Sequence, residues 1–235
     1  MHTGWMRRTL ALGMAAMGIL CGCDTQMETV APIIWEETTE IEQVTATPLE
    51  FPVTPLGSML VAEELICYQG PYWEDESGDF IENVAGLMIS NPTNRMVEFA
   101  AFVVEQAGER LYFFVYCLPP MSRCLVLEYN KKACDPGLVT ACQELCVRWD
   151  RQELSREQVD YVGLGPLMTV INRDARQLTH VTVRYKQYVK EEDYYLGGAV
   201  HSTHLFFLQP EERRSIMPEH YDAGHVRIVE IEIKN

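Results

Sequence analysis

One stretch of this chain is written twice. Leu87-Met-Ile-Ser-Asn91-Pro-Thr-Asn-Arg95-Met-Val97 returns 81 positions later as Met168-Thr-Val-Ile-Asn172-Arg-Asp-Ala-Arg176-Gln-Leu178. Asparagine falls on asparagine, arginine on arginine, and apolar Val97 on Leu178. A second pair, Leu118-Pro-Pro120-Met-Ser-Arg123 and Leu208-Gln-Pro210-Glu-Glu-Arg213, matches at an offset of 90. The later copy therefore holds nine extra residues between these landmarks, placed by their Glu, Tyr and Gly content in Val189 to Thr203. A repeat restricts the chain to architectures in which one supersecondary unit recurs.

The unit is β-structure. Val181-Thr-Val183-Arg-Tyr185-Lys186 alternates with a period of two and is expected to turn its charges outward. Ala100, Phe102 and Val104 match it in the first copy, but Phe99, Ala101 and Val103 make the opposite face apolar too, which predicts cover on both sides. Val229-Glu-Ile231-Glu-Ile233 sets three β-branched residues on one face. Its counterpart, Leu145-Cys-Val147-Arg-Trp149, reads as a strand through the repeat. Asp135-Pro136 followed by Leu138, Cys142, Leu145 and Trp149 also fits a capped helix.

In the second copy, Gly165-Pro-Leu-Met-Thr-Val170-Ile-Asn172, then Leu178-x-x-Val181-x-Val183-x-Tyr185, Gly197-Gly198 and Leu208-x-Pro210 resemble FxLYD domains. These are small immunoglobulin-like sandwiches of bacterial surface and envelope proteins. Val183-Arg-Tyr185-Lys-Gln stands where that family's naming string lies. The resemblance implies no catalytic residue, since such domains share none. The expected fold class is all-β, with two tandem immunoglobulin-like β-sandwich modules over residues 59–153 and 154–235.

The N-terminus carries an address. Arg7 and Arg8 precede an uncharged run, Thr9 to Leu20, too short for the roughly 20 residues of a spanning helix. The run ends in Leu20-Cys21-Gly22-Cys23, which resembles the lipobox of a bacterial lipoprotein precursor. That resemblance makes residues 1–22 a lipoprotein signal peptide and Cys23 the site of a diacylglyceryl group, with its freed amine open to acylation. Two acyl chains separate lasting membrane attachment from marginal attachment. The expected place is the bacterial cell membrane, facing the extracytoplasmic side. Residues 23–58 read as an acidic tether: seven acids, no Lys or Arg, and Pro32, Pro48, Pro52 and Pro55 keep the stretch extended. A short strand at Ile33-Ile34-Trp35 is the competing reading.

Charge narrows the partners. With 34 acids against 19 bases, the net charge of −15 repels phosphate backbones and makes nucleic acid an unsuitable partner. Six cysteines remain beyond Cys21 and Cys23: Cys67, Cys117, Cys124, Cys134, Cys142 and Cys146. They allow 15 disulfide pairings or remain as buried thiols. Cys117 and Cys124, flanking a Pro-Pro turn, are candidates to face each other across a hairpin. No close Cys-x-x-Cys pair suggests zinc, and His201 and His204, three apart on a strand, point to opposite faces.

Tyr72-Trp73-Glu74-Asp75-Glu76-Ser77-Gly78-Asp79-Phe80 is the richest loop. Tyr68, Tyr72 and Trp73 offer stacking surfaces, Asp75 and Asp79 offer carboxylates, and Tyr194-Tyr195 in the later hairpin offers a second aromatic tip. No Gly-x-Ser-x-Gly, His-Glu-x-x-His or Gly-Lys-Ser/Thr run occurs, and no cofactor or metal is expected. The leading expectation is a lipid-anchored, non-enzymatic protein that presents its modules to envelope or surface proteins. The alternative is a lipoprotein that captures carbohydrate or calcium at the Tyr72–Phe80 loop.

Overall fold

The computed structural model describes residues 47–75, 77–149 and 157–234. The signal peptide, Cys23, the tether up to residue 46 and the Ile33–Trp35 alternative lie outside the described residues. The fold is nearly all β. Twelve strands are described: β1 Val61–Pro71, β2 Phe80–Asn91, β3 Val97–Gln106, β4 Glu109–Leu118, β5 Ser122–Leu127, β6 Val139–Trp149, β7 Val159–Leu164, β8 Leu167–Asn172, β9 Leu178–Val189, β10 Tyr194–Leu208, β11 Arg213–Ile216 and β12 Val226–Lys234. A 3-10 turn, Pro136–Leu138, leads into β6. The strand reading of Leu145–Trp149 therefore holds over its helical rival: the segment lies in β6 and pairs with β3 from Val97↔Trp149 to Gln106↔Val139.

Three sheets organise the strands. Six run in the order β1-β2-β5-β10-β9-β12, and two three-stranded sheets have the orders β4-β3-β6 and β11-β8-β7. The same arrangement occurs twice, because β1-β2-β5 corresponds to β7-β8-β11 and β4-β3-β6 to β10-β9-β12. The long sheet arises where β5 of the first copy meets β10 of the second in parallel, through Tyr195↔Cys124 and Leu196↔Leu125. One core joins Leu87, Ile89 and Val126 of the long sheet to Phe102, Val104, Leu111 and Phe113 of β3 and β4. Another joins Val181, Val183 and Leu205 to Met168 and Val170 of β8. Paired sheets enclosing apolar layers are compatible with β-sandwich packing.

The repeated asparagines occupy matching settings. Asn91 Nδ2 donates to the carbonyls of Arg95 (2.8 Å), Leu118 (3.3 Å) and Pro119 (3.0 Å). Asn172 Nδ2 donates to Arg176 (2.8 Å), Leu208 (3.0 Å) and Gln209 (3.0 Å). The acceptors correspond at the two offsets seen in the sequence. Both side chains are fully buried, and each ties its own turn to the far end of the following hairpin. The nine extra residues fall in the β9–β10 hairpin, where a bulge between Leu196 and His201 breaks the pairing.

Three details differ from the sequence expectations. Val229, Ile231 and Ile233 do not share one face: a bulge between Ile228 and Glu230 sends Val229 into the first core while Ile231 stays in the second. Lys186 does not point to solvent but is fully buried, because β4 covers that end of β9. Leu49, Phe51 and Val53, read as the end of the tether, pack on the first core; Leu49 N–H donates to Val139 O at 2.7 Å. On the outer face of β3, Phe99 is half-buried beside Phe114 and the exposed Tyr116 of the same sheet, with Arg148 over its ring.

Candidate functional site

The loop between β1 and β2 folds inward over the long sheet. Tyr72, 1% exposed, packs on Met88, Leu125 and Leu127, and its hydroxyl donates to Glu128 O (3.1 Å) and Tyr129 O (2.9 Å). Loss of water around that ring raises the phenol pKa, and the nearby carboxylates of Glu74, Asp75 and Glu128 raise it further. Tyr68 and Tyr194 lie against the same cluster, and burial pushes Tyr68 up to about 12. Asp75 pairs with Lys131 at 2.9 Å, whose ammonium sits 4.3 Å from the centre of the Tyr72 ring. Asp79 is exposed, and its backbone carbonyl closes the loop onto Tyr72 N–H at 2.8 Å.

Glu74 clamps the seam between the copies. Its Oε1 accepts from Leu127 N (2.7 Å) and Gly198 N (2.8 Å), and its Oε2 from Gly198 N (2.8 Å) and Ala199 N (3.1 Å). From the other side Lys186 Nζ donates to the carbonyls of Gly198 (2.8 Å), Ala199 (2.8 Å) and Tyr116 (3.0 Å). The β10 bulge, which has no ladder partner on β9 here, satisfies its backbone through these two side chains. Burial raises the Glu74 pKa; bonds from Gly198 and Leu127, the Lys186 charge and the Ala199 bond act against that rise. Gly198 admits no side chain, since a Cβ there would collide with the carbonyl oxygen of Phe114.

With its neighbours so fixed, Trp73 stands at the seam. Its Cβ lies where a Cβ on Gly197 would come within 2.8 Å, and its ring meets His220 edge-on at 6.4 Å between centroids. His220 is 5.0 Å from His201, which stacks on Tyr185 at 5.6 Å. Trp73 and Pro71 from the first copy, with Tyr188, Leu196 and Tyr221 from the second, wall an open cavity of about 450 Å³. His220, Asp222, His225 and Gln187 also border it. Gln187 Nε2 donates to His220 O at 3.0 Å, and Asp222 Oδ1 accepts from Gly224 N at 2.8 Å. Tyr188 donates its hydroxyl to Asp193 and lies beneath the Arg227 guanidinium, 3.4 Å from ring centre to Cζ.

The structure scatters the aromatic set expected at the loop. Only Trp73 reaches the cavity. Tyr72 is a core residue, Tyr68 and Tyr194 cover the sheet, and Tyr195 is buried edge-on to Tyr188 at 5.3 Å. The cavity residues His220, Tyr221 and Asp222 sit in a loop whose sequence has no recurring pattern, and Tyr188 lies at the end of a strand read for its core alternation.

The cysteines are also rearranged. Cys67 bonds to Cys134, with their Cα atoms 5.1 Å apart, instead of Cys117 to Cys124. β4 and β5 belong to different sheets, so the Pro-Pro turn is a crossing between layers and its flanking thiols do not face each other. Cys117 Sγ lies 3.8 Å from Glu230 Oε2, and Cys124 Sγ donates to Gly197 O at 3.2 Å. Burial pushes the Cys124 thiol up to about 11, an inert state. Among the described residues no helix is long and apolar enough to cross a membrane. No protein-family model matches the chain, nor does any curated protein or solved structure.

Proposed function

We propose that this chain is a bacterial lipoprotein, held on the extracytoplasmic side of the cell membrane by lipid on Cys23. Its body of two immunoglobulin-like β-sandwich modules contacts envelope or surface proteins without catalysing a reaction. The observation that carries this reading is the Trp73 cavity. Its walls are mainly carbon, from Pro71, Trp73, Val189, Leu196 and the rings of Tyr188, Tyr221, His220 and His225, and its volume of about 450 Å³ admits a bulky apolar side chain. Pockets that accept such an anchor dominate the energetics of protein contacts. The Cys67–Cys134 disulfide supports an oxidising compartment, and the repeated sheet arrangement supports two modules.

Carbohydrate capture is the second reading, favoured by Asp222, Gln187 and two histidines beside the same indole. Calcium at Asp75 has less support, because Lys131 already neutralises that carboxylate. Two measurements test the proposal. Cys23→Ser should move the protein from the membrane to the soluble fraction and abolish palmitate labelling. A photo-reactive residue in place of Asp222 should crosslink a defined envelope protein in cells, and Trp73→Ala should abolish the crosslink while near-ultraviolet dichroism of the fold persists. Trp73-dependent binding to a glycan panel, with no protein crosslink, would replace protein contact by sugar capture.

A further inference from the structure

The repeat also sets rings on the surface. Phe99, Phe114 and Tyr116 of the first copy correspond to His180, His204 and Phe206 of the second, at the offsets of 81 and 90 that mark the duplication. The register is shared. Phe99 faces Tyr116 and Ala101 faces Phe114 across β3 and β4, as His180 faces Phe206 and Thr182 faces His204 across β9 and β10. Alternation along each strand then puts all three rings on the outer face of their hairpin. In the first copy Phe99 lies 4.9 Å from Tyr116 and 6.3 Å from Phe114, with 15° between the two phenyl planes. In the second, His180 lies 4.6 Å from Phe206 at 9° and 5.2 Å from His204. The bond from Lys186 Nζ to Tyr116 O (3.0 Å) steadies one platform, and that between His180 Nε2 and His204 Nδ1 (3.1 Å) steadies the other. Tyr116 and Phe206 are 41% and 53% exposed, so each platform keeps a ring open to solvent.

A polar groove of about 410 Å³ joins the platforms, and five of its eight lining residues are charged. Tyr116 forms one wall, while Glu232 on the other side is the register partner of Thr182, which itself faces His204. Arg184 bonds Glu230 (2.7 Å) and Glu232 (3.0 Å), and Arg148, held over the Phe99 ring at 5.2 Å, stands 3.8 Å from Glu98. We propose that this face binds a linear, uncharged glycan chain. Its sugar rings stack on Tyr116 and Phe206, and its hydroxyls bond the charged pairs between them. A pyranose has apolar C–H faces and a rim of hydroxyls, so it needs aromatic faces and polar edges together. A hydroxyl donates to a carboxylate and accepts from a guanidinium, so the pairs bind it without coming apart. An ionic ligand would have to displace a partner from Arg184. An anionic one would also meet three carboxylates against two guanidiniums, in a chain of net charge −15. A peptide anchor calls for carbon walls, which the Trp73 cavity has and this groove lacks. The two sites share no lining residue, so the proposal stands apart from the cavity. Beyond Tyr116 a smaller hollow of about 110 Å³, bordered by Phe114 and Tyr129, lengthens the surface a chain can follow.

The test is calorimetric titration of the full chain, in a detergent without sugar, with four hexasaccharides: cellohexaose, mannohexaose, the N-acetylglucosamine hexamer and the anionic galacturonic acid hexamer. At least one neutral hexamer should bind and the anionic one should not. Tyr116→Ala and Phe206→Ala should each weaken that binding at least about threefold, and together at least about tenfold, as expected for the loss of one and two ring stacks. Trp73→Ala should leave it unchanged. Both substituted rings are exposed, and unchanged thermal midpoints of the variants keep the comparison readable. No binding of any neutral hexamer below about ten millimolar overturns the proposal, as does binding that survives the double substitution at full strength or disappears with Trp73. A photo-reactive residue in place of the exposed Ser202, opposite Arg184, that captures a defined protein in cells while no hexamer binds would give this face to a protein instead.

Discussion

A buried side chain that satisfies several backbone groups at once has a cost of removal that its own size does not reveal. Asn91 and Asn172 are fully buried, and each holds three backbone carbonyls, one of them (Leu118 O or Leu208 O) in a buried bond. Asn91→Ala and Asn172→Ala should therefore each destabilise the protein by about 2–3 kcal/mol, and by closely similar amounts, in urea unfolding. A large inequality would mean that the two settings are not equivalent. Glu74 behaves differently because it titrates. Its pKa is raised in the folded chain above the ordinary 4.5, so the folded state holds this proton more tightly than the unfolded one. Stability from this group is complete below about pH 4.5 and is lost as pH rises through the raised folded value. Unfolding free energy of the native chain should fall over that window, and the fall should be shallower in Glu74→Gln. Parallel pH profiles for the two proteins would contradict this.

At the scale of elements, the alternation of apolar residues made the strands legible, and the Asn and Pro landmarks made the order of strands legible. What the alternation could not convey is which layer each strand joins. Cys117 and Cys124 look like hairpin neighbours along the chain, yet the Pro-Pro turn carries the backbone from one sheet to another. Lys186 sits on the polar side of a period-two pattern, but a strand 70 residues distant in sequence closes over it. Val229 changes cores through a bulge that leaves no residue signature. Tyr72 and Trp73 are adjacent and chemically alike, yet Tyr72 is held in the core by its hydroxyl bonds to Glu128 O and Tyr129 O while Trp73, beside the Glu74 anchor, lines a cavity. The disulfide illustrates the same limit: Cys67 and Cys134 are 67 positions apart, and the β1–β2 ladder together with the Val84↔Ala133 bridge brings them together. Closing so long a loop restricts the unfolded chain strongly, so Cys67→Ser or reduction should lower stability by about 2–4 kcal/mol in guanidinium unfolding. No change would mean that the bond does not form in solution.

For the molecule as a whole, a duplicated unit has given up part of its independence. The parallel seam between β5 and β10 has only two residue pairs in register. Glu74 reaching forward to the β10 bulge and Lys186 reaching back to β4 add bonds across it, and Tyr188, Tyr195 and Val229 of the second copy pack in the first core. Trp73, held between them, belongs to the cavity only while both copies are present. Expressed separately, residues 47–153 would expose a sheet margin and the Glu74 side chain, while residues 154–235 would uncover Lys186 and leave the Gly198 and Ala199 amides without their acceptor. Each fragment should therefore aggregate or remain unfolded by dichroism, whereas mixing the two should restore structure. Because backbone groups of each half end on a side chain of the other, the boundary is a shared interior, and cutting it leaves unpaired groups on both sides.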